Sequence, residues 1–273
     1  MKHFFLLLAL SLAFTAFSRS LLDIPYYDDD FPRQGNLEYL TERCKLDVYL
    51  PDGDIKDFPV LVWYHSGGLT GGNKHIPPCL DMTKIALVAV NYRFSGPRAQ
   101  CPDYIYDAAA SLAWVFRHIA EYGADPHRIY VSGHSAGGYL TAMISMDAKY
   151  LSTFGASPKQ IRAALPISGQ MSTHFQILNE RKEKDPATPE FVIDEYAPIF
   201  LAHAEVPPMT LIAGDSDLEF AARPEENALL AARLRYSFRR WDVKYVQLTT
   251  FTHANVLVPG MAVVNNYILN DKK

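Results

Sequence analysis

A segment rich in small residues, Gly133–Gly138, joins an apolar run to a run of helix-forming residues. It reads G-H-S-A-G-G; residues 128–132 before it are apolar and β-branched, and residues 139–144 after it favour a helix. Small residues on both sides of Ser135 permit a strained backbone that bulky neighbours would obstruct. The segment therefore predicts a strand that turns sharply into a helix, with a serine at the turn.

Other apolar runs predict more strands of the same kind. Runs without polar residues are typical of strands buried on both faces of a parallel sheet. Such runs occupy residues 59–64 and 85–90, residues 162–168 are predicted as another buried strand, and 45–50, 208–214 and 243–248 complete the predicted strands. Helical patterns lie at about 104–121, 221–238 and 256–269. Strands that alternate with helices predict an α/β fold, a mostly parallel central sheet with helices on both faces.

The length of the chain predicts a single domain. A chain of 273 residues that is 49% hydrophobic can bury a single large core. We assign this domain to residues 45–273, after an acidic, turn-rich arm at 19–44. Residues 170–200 are more polar and interrupt the alternation, which predicts a small lid-like insertion.

The first 18 residues have the pattern of a secretory signal peptide. Lys2 precedes an apolar run over 4–17, and small residues lie just before Arg19. The apolar run is shorter than the ~20 residues that a transmembrane helix needs. We therefore expect an exported protein, periplasmic or extracellular, without a stable membrane span.

Charge and spacing exclude several partners. The formal net charge is −4, and no basic stripe that could neutralise phosphates is present, so we expect no nucleic-acid partner. Asn73 stands where a phosphate-binding loop needs a glycine before Lys74. No zinc-ligand spacing occurs, and we expect no metal and no cofactor.

The cysteine count allows at most one disulfide. Cys44, Cys79 and Cys101 are the three cysteines, and an odd number leaves at least one free thiol. Cys79 and Cys101 lie in loop-like segments and are the better candidates for a bridge. Three unbridged thiols are the favoured alternative, because spacing alone does not fix disulfide geometry.

Ser135 needs a base and an acid if it is to act as a nucleophile. In one widespread arrangement on a parallel α/β sheet, the chain order is serine, then acid, then histidine, each at a strand end. His174, His203 and His253 follow Ser135 outside the turn. Only His253 also follows the last predicted strand, and we therefore predict it as the base.

The acid is predicted within residues 214–219, which read G-D-S-D-L-E and contain three carboxylates. Asp217 is preferred, because the fourth position of the turn can point back towards the histidine loop. Asp215 is better placed to cap the turn and remains the rival candidate.

Acyl transfer also needs backbone N–H groups that bind the oxygen carrying the negative charge. One donor is predicted at Ala136, directly after the nucleophile. The others are predicted at Gly67 and Gly68, in a glycine-rich loop after an early strand, where no side chain obstructs the amides. His65 before them is interpreted as a residue that braces the loop rather than as a base.

Taken together, these motifs resemble those of the α/β-hydrolase carboxylesterases related to hormone-sensitive lipase. They are most similar to secreted bacterial BD-FAE-like esterases of the acetyl-xylan or feruloyl type, with kynurenine formamidase a near relative. The matching segments are 64–74 (Y-H-S-G-G-L-T-G-G-N-K), 90–93 (V-N-Y-R), 125–138, 214–217 (G-D-S-D) and 252–254 (T-H-A).

The resemblance implies a serine ester hydrolase with Ser135, Asp217 and His253 as its triad and Gly67, Gly68 and Ala136 as its oxyanion hole. One departure is Ser66, which replaces the first glycine of the usual H-G-G-G. We expect a short-chain or carbohydrate-linked ester as substrate. An arylformamidase-like amide hydrolase and a catalytically inactive binding module are the alternatives.

Leu69, Met171 and Phe175 are the candidate substrate-binding residues. Met171, Phe175 and Ile177 could line an acyl pocket, but packing within the fold is the favoured interpretation for them.

Overall fold

The computed structural model describes residues 19–53 and 55–271. The predicted signal peptide, residues 1–18, lies outside this range. A sheet of eight strands crosses the molecule in the order β1-β2-β4-β3-β5-β6-β7-β8. The strands are β1 Ser20–Pro25, β2 Lys45–Tyr49, β3 Phe58–Tyr64, β4 Ala86–Val90, β5 Ala124–His134, β6 Ala163–Ile167, β7 Met209–Ala213 and β8 Val243–Gln247.

The strand directions confirm the predicted, mostly parallel sheet. Strand β3 pairs in parallel with β4 and β5, and the parallel pairing continues through β6, β7 and β8. Only β2 runs antiparallel to its neighbours β1 and β4. The carboxyl ends of β3 to β8 therefore lie along one edge, where loops from several strands meet.

Helices cover both faces of the sheet. They are α1 Leu37–Arg43, α2 Asp103–His118, α3 Ala136–Met146, α4 Ala148–Ser152, α5 Phe175–Lys182, α6 Arg223–Ala232 and α7 Leu257–Asn270. Side chains of β3 alternate between two cores: Val60 and Val62 pack on the side of α2 and α3, whereas Leu61 and Trp63 pack on the side of α7. This alternation is the period-two geometry of a strand buried on both faces.

The N-terminal arm is more ordered than its acidic, turn-rich sequence predicts. It supplies β1 at the edge of the sheet and the short helix α1. Tyr26 and Tyr27 follow β1 and are buried in the core below α2. The strand was missed because a bulge between Leu21 and Ile24 interrupts its alternation.

A buried ion pair joins this arm to the rest of the domain. Arg93 contacts Asp107 through both Nε and Nη2, at 2.9 and 2.8 Å, and both side chains are fully buried. Tyr27 donates its hydroxyl proton to Asp107 at 2.7 Å, and Arg93 donates to the carbonyl of Gln34 at 2.8 Å. The arm thus provides hydrogen-bond partners that keep the buried charges satisfied.

The segment 170–200 contains α5 followed by a series of turns. Within it, Arg181 and Asp194 form an ion pair at 2.6 Å.

Cys44, Cys79 and Cys101 are all free thiols, so the candidate bridge between Cys79 and Cys101 is not formed. Over the described residues, every helix is too short or too polar to cross a membrane.

Candidate active site

Ser135 lies on the sharp turn between β5 and α3, with φ 56° and ψ −114°. Its N–H donates to the carbonyl of Ile167 at 2.9 Å, which fixes the turn against β6. A Cβ on Gly133 would lie 2.4 Å from the backbone of Gly137, and a Cβ on Gly137 would lie 2.0 Å from the carbonyl oxygen of Tyr64. The glycines are therefore required by the close approach of three backbone segments.

His253 lies in the loop between β8 and α7, and its Nε2 is 2.8 Å from Ser135 Oγ. The structure thus brings together the serine and the histidine that the chain order singled out. The distance is that of a hydrogen bond, so Nε2 can receive the hydroxyl proton of Ser135.

The predicted acid is corrected by the structure. His253 Nδ1 is hydrogen-bonded to Glu219 Oε1, and the side chain of Glu219 is fully buried. Asp217 is exposed, and the hydrogen bond found for it runs from its backbone N–H to Asp215. The turn after β7 directs Asp217 towards solvent and returns the chain two residues later, so Glu219 reaches the histidine.

Several donors surround the carboxylate of Glu219. Ser168 Oγ donates to Oε2 at 2.7 Å, and the N–H groups of Gly214 and Phe220 contribute at 3.3 and 3.1 Å. Burial by itself raises the pKa of Glu219, but the hydrogen bonds from His253 and Ser168 outweigh it and lower the pKa from 4.5 to about 2. The carboxylate is therefore ionised at neutral pH and holds the Nδ1 proton of His253.

Asp215, the rival candidate, caps the turn. Its Oδ1 accepts from the N–H of Asp217 at 2.9 Å, and its Oδ2 accepts from the N–H of Thr250 at 2.6 Å. These backbone hydrogen bonds, with that of Thr250 the stronger, lower the pKa of Asp215. Asp215 therefore joins the loop of the acid to the loop of the histidine without touching the imidazole.

The glycine-rich loop after β3 lies beside Ser135. Gly67 has φ 120° and Gly68 has φ 62°, conformations that favour glycine. The carbonyl of Gly67 accepts from the N–H groups of Thr70 and Gly71 at 3.0 and 3.1 Å, which closes the loop on itself. Ala136 is the first residue of α3, so its N–H has no partner within the helix.

His65 braces this loop, as its position predicts. Its Nδ1 donates to the carbonyl of Ser66 at 2.6 Å, and its ring stacks on Tyr92 at 4.4 Å between centroids. Burial lowers the pKa of His65 to about 4, so the ring is neutral at pH 7. Arg43 closes the far side through a 2.7 Å hydrogen bond to the carbonyl of Gly72.

A cavity of about 480 Å³ opens over Ser135. Its lining contains no lysine, arginine or acidic residue and consists of Ser66, Gly67, Gly68, His134, Ser135, Phe175, Phe220, His253, Ala254 and Leu257. Burial lowers the pKa of the His134 imidazole to about 4, and its Nε2 donates to the carbonyl of His253 at 2.9 Å. His134 therefore adds no charge to the cavity at neutral pH.

Of the candidate substrate-binding residues, only Phe175 lines this cavity. Leu69 and Met171 are fully buried in the cores and do not line it, which for Met171 agrees with the favoured interpretation as packing. Sequence reasoning missed Phe220, whose exposed ring stacks on His253 with 4.1 Å between centroids. Its position next to the acid turn was the available signal.

No cluster of histidine, cysteine and acidic side chains suited to a metal ion is found among residues 19–53 and 55–271. The groups around Ser135 are instead those of nucleophilic catalysis: a hydroxyl, an imidazole and a carboxylate in a hydrogen-bonded row.

Comparison with known proteins places this geometry in a family. A family model described as BD-FAE matches residues 46–223. A probable carboxylic ester hydrolase of Mycobacterium tuberculosis, LipM, is 32% identical over 212 residues, which are 69% of this chain and 49% of LipM. The chain spans about half the length of the curated relatives it matches.

Two solved structures share the fold. A truncated form of a carbohydrate esterase from gut microbiota has a TM-score of 0.69 at 15% identity, over 92% of this chain and 95% of that chain. The thermophilic esterase Est2 of Thermogutta terrifontis has a TM-score of 0.64 at 18% identity, over 93% of each chain. These similarities establish the α/β-hydrolase fold.

Proposed function

Because the chain belongs to the BD-FAE family, we propose that it hydrolyses carboxylic esters through an acyl intermediate on Ser135. The observation that carries the proposal is the continuous hydrogen-bonded row from Ser135 through His253 to Glu219, at the floor of a cavity whose lining has no lysine, arginine or acidic residue. The triad is thus Ser-Glu-His rather than Ser-Asp-His.

The first step forms the acyl enzyme. His253 Nε2 takes the hydroxyl proton as Ser135 Oγ attacks the ester carbonyl carbon, and the carbonyl oxygen becomes an oxyanion. Glu219 stabilises the imidazolium through Nδ1–H. The tetrahedral intermediate collapses when the bond to the alcohol oxygen breaks, and His253 gives its proton to the departing alcohol.

The second step releases the acid. A water molecule loses a proton to His253 Nε2 and attacks the acyl carbon, so a second oxyanion forms. Its collapse breaks the bond to Ser135 Oγ, which recovers the proton from the imidazolium. The products are one alcohol and one carboxylic acid for each water consumed.

The N–H groups of Gly67, Gly68 and Ala136 are proposed as the oxyanion donors. Gly67 and Gly68 line the cavity beside Ser135, and no backbone or side-chain acceptor for their N–H groups is found in the part of the chain that the structure describes. Ala136 N–H points from the start of α3, where the helix dipole also favours a negative charge.

The cavity supports a neutral ester as substrate. Without a lysine, arginine or acidic side chain in its lining, it offers no ion-pair partner of these types to a carboxylate or an ammonium group next to the ester bond. Its mouth is open, and the exposed phenyl rings of Phe175 and Phe220 lie at the rim. Short-chain and carbohydrate-linked esters fit this description.

A Ser135→Ala variant tests the proposal. We expect wild-type protein to hydrolyse p-nitrophenyl acetate and to gain one fluorophosphonate adduct on the peptide that carries Ser135. The variant should lose turnover and labelling while keeping its circular dichroism spectrum. Undiminished turnover in the variant would refute the role of Ser135 as nucleophile. Faster cleavage of N-formyl anilides than of any ester by the wild type would refute a carboxylic ester as the substrate.

A further inference from the structure

Glu180 on helix α5 is buried, although it lies in a polar stretch of the sequence and is remote from the triad. Its carboxylate accepts three hydrogen bonds from the segment 95–104. The donors are Ser95 Oγ at 2.5 Å, the backbone N–H of Cys101 at 2.9 Å and the hydroxyl of Tyr104 at 3.2 Å. Glu180 therefore fastens α5 to a part of the chain that follows β4.

Ser95 connects this attachment to the glycine-rich loop. Its hydroxyl also accepts from Gln176 Nε2 at 3.0 Å, so two turns of α5 meet at one side chain. Its backbone N–H donates to the carbonyl of Leu69 at 2.8 Å. Since Leu69 directly follows Gly68, Ser95 is hydrogen-bonded both to α5 and to the proposed oxyanion loop.

The consequence of this attachment appears at the start of α5. Phe175 is the first residue of the helix, and its ring lines the cavity. A Cβ on Gly68 would lie 3.3 Å from Cζ of Phe175, so the ring directly faces the glycine. The ring of Phe175 therefore closes the cavity on this side by contact with Gly68.

We propose that Glu180 is a positioning residue that holds Phe175 against Gly68 and thereby limits the size of the ester group that fits beside the oxyanion loop. The inference rests on the proposed ester hydrolysis. Glu180 touches neither substrate nor triad and acts through α5.

A carboxylate suits this role better than an amide. All three partners of Glu180 donate to it, and one of them is a backbone N–H that cannot rotate to accept. In a Glu180→Gln variant, whichever way the side-chain amide is turned, its NH₂ group faces Ser95 and Tyr104 or the N–H of Cys101. Loss of a buried acceptor loosens the attachment of α5.

The test compares Glu180→Gln with Phe175→Ala and with the matched control Glu183→Gln. Glu183 is exposed at the end of the same helix. For each protein kcat/KM is measured on p-nitrophenyl esters from acetate to octanoate and on acetates of alcohols of increasing size. Thermal unfolding is followed in parallel, and the double variant Glu180→Gln/Phe175→Ala completes a cycle.

We expect Glu180→Gln and Phe175→Ala to raise kcat/KM for large over small substrates by about tenfold in the same series, because added methylenes are discriminated by this order of magnitude in a fitted pocket. The double variant should not exceed Phe175→Ala, and Glu183→Gln should match the wild type. If Glu180→Gln does not fold, Gln176→Ala is measured instead and should shift the ratio in the same direction, because it removes the bond to Ser95, together with an exposed one from Asn179, and leaves Glu180 in place.

Unchanged size selectivity in a folded Glu180→Gln or Gln176→Ala protein, or effects that add to those of Phe175→Ala, would overturn the role of Glu180. Lower thermal stability with an unchanged ratio would assign Glu180 to folding alone and also overturn it. Wild-type protein that cleaves none of the esters would instead refute the proposed function, so the two failures are distinguishable.

Discussion

Replacement of Glu219 by glutamine tests the assignment of the triad acid most directly. The substitution keeps the shape of the side chain and removes its charge. In the structure the pKa of Glu219 lies at about 2 instead of 4.5, which corresponds to roughly 3 kcal/mol in favour of the ionised carboxylate. Much of this stabilisation comes from the hydrogen bonds of His253 and Ser168, and it disappears with the charge.

The expected loss of activity follows from the tautomer of His253. A glutamine NH₂ group facing Nδ1 would donate to it, which places the imidazole proton on Nε2. The imidazole could then no longer take the proton of Ser135. Comparable replacements of the acid in serine hydrolases reduce kcat by about 10⁴. We expect a decrease of about 10³ to 10⁴ here, because the same change of imidazole tautomer occurs.

The assay is steady-state hydrolysis of p-nitrophenyl acetate, with fluorophosphonate labelling to count competent sites. Asp217→Asn serves as the matched control, because Asp217 is exposed and its side chain is remote from the imidazole contact. Its kcat should equal that of the wild type. A Glu219→Gln protein within tenfold of wild type, or an Asp217→Asn protein that loses as much activity, would contradict the reasoning.

Three other substitutions have definite expected outcomes. Gly67→Ala would place a Cβ 2.0 Å from the carbonyl oxygen of Gly71, so we expect kcat to fall by a factor of about 10²–10³. Gly71→Ala, whose added Cβ would meet no atom within 4 Å, should retain wild-type turnover. Asp107→Asn strands the buried guanidinium of Arg93, and urea unfolding should show a loss of about 3–5 kcal/mol. Burial lowers the pKa of His65 from 6.5 to about 4, so the imidazole is protonated at a higher pH in the unfolded chain than in the folded one. The free energy of unfolding should therefore fall as pH decreases from 6.5 to 4. His65→Gln should remove up to about 1.4 kcal/mol per pH unit from that slope, measured by urea unfolding at pH 7 and 5.

The serine and the histidine could be predicted because chain order and strand ends restrict them strongly. Ser135 stands between two glycines, Gly133 and Gly137, at which an added Cβ would have no room. His253 is the one histidine after the last strand. The acid could not be chosen in this way. The turn after β7 contains Asp215, Asp217 and Glu219 within five residues, and only the path of the backbone decides which carboxylate reaches the imidazole.

The parallel sheet was predictable from its apolar strands, whereas the substrate cavity was not. Leu69 follows the glycine-rich loop and Met171 follows a predicted strand, yet their side chains turn into the cores. Phe175 and Phe220 come from α5 and the acid turn, which meet over Ser135 only in the folded chain. Exposed phenyl rings at a cavity rim carry no periodic pattern, so hydrophobicity alone does not reveal them.

The bulge in β1 also bears on the solubility of the protein. As the terminal strand of the sheet in the described part of the chain, β1 has one side without a partner strand. The bulge turns Asp23 to φ 57°, and its carboxylate meets Lys74 at 2.8 Å, while Pro25 ends the strand without an N–H. An incoming β-strand finds no continuous ladder to extend there. The β1 edge of the sheet is thus closed to edge-to-edge growth between copies of the chain.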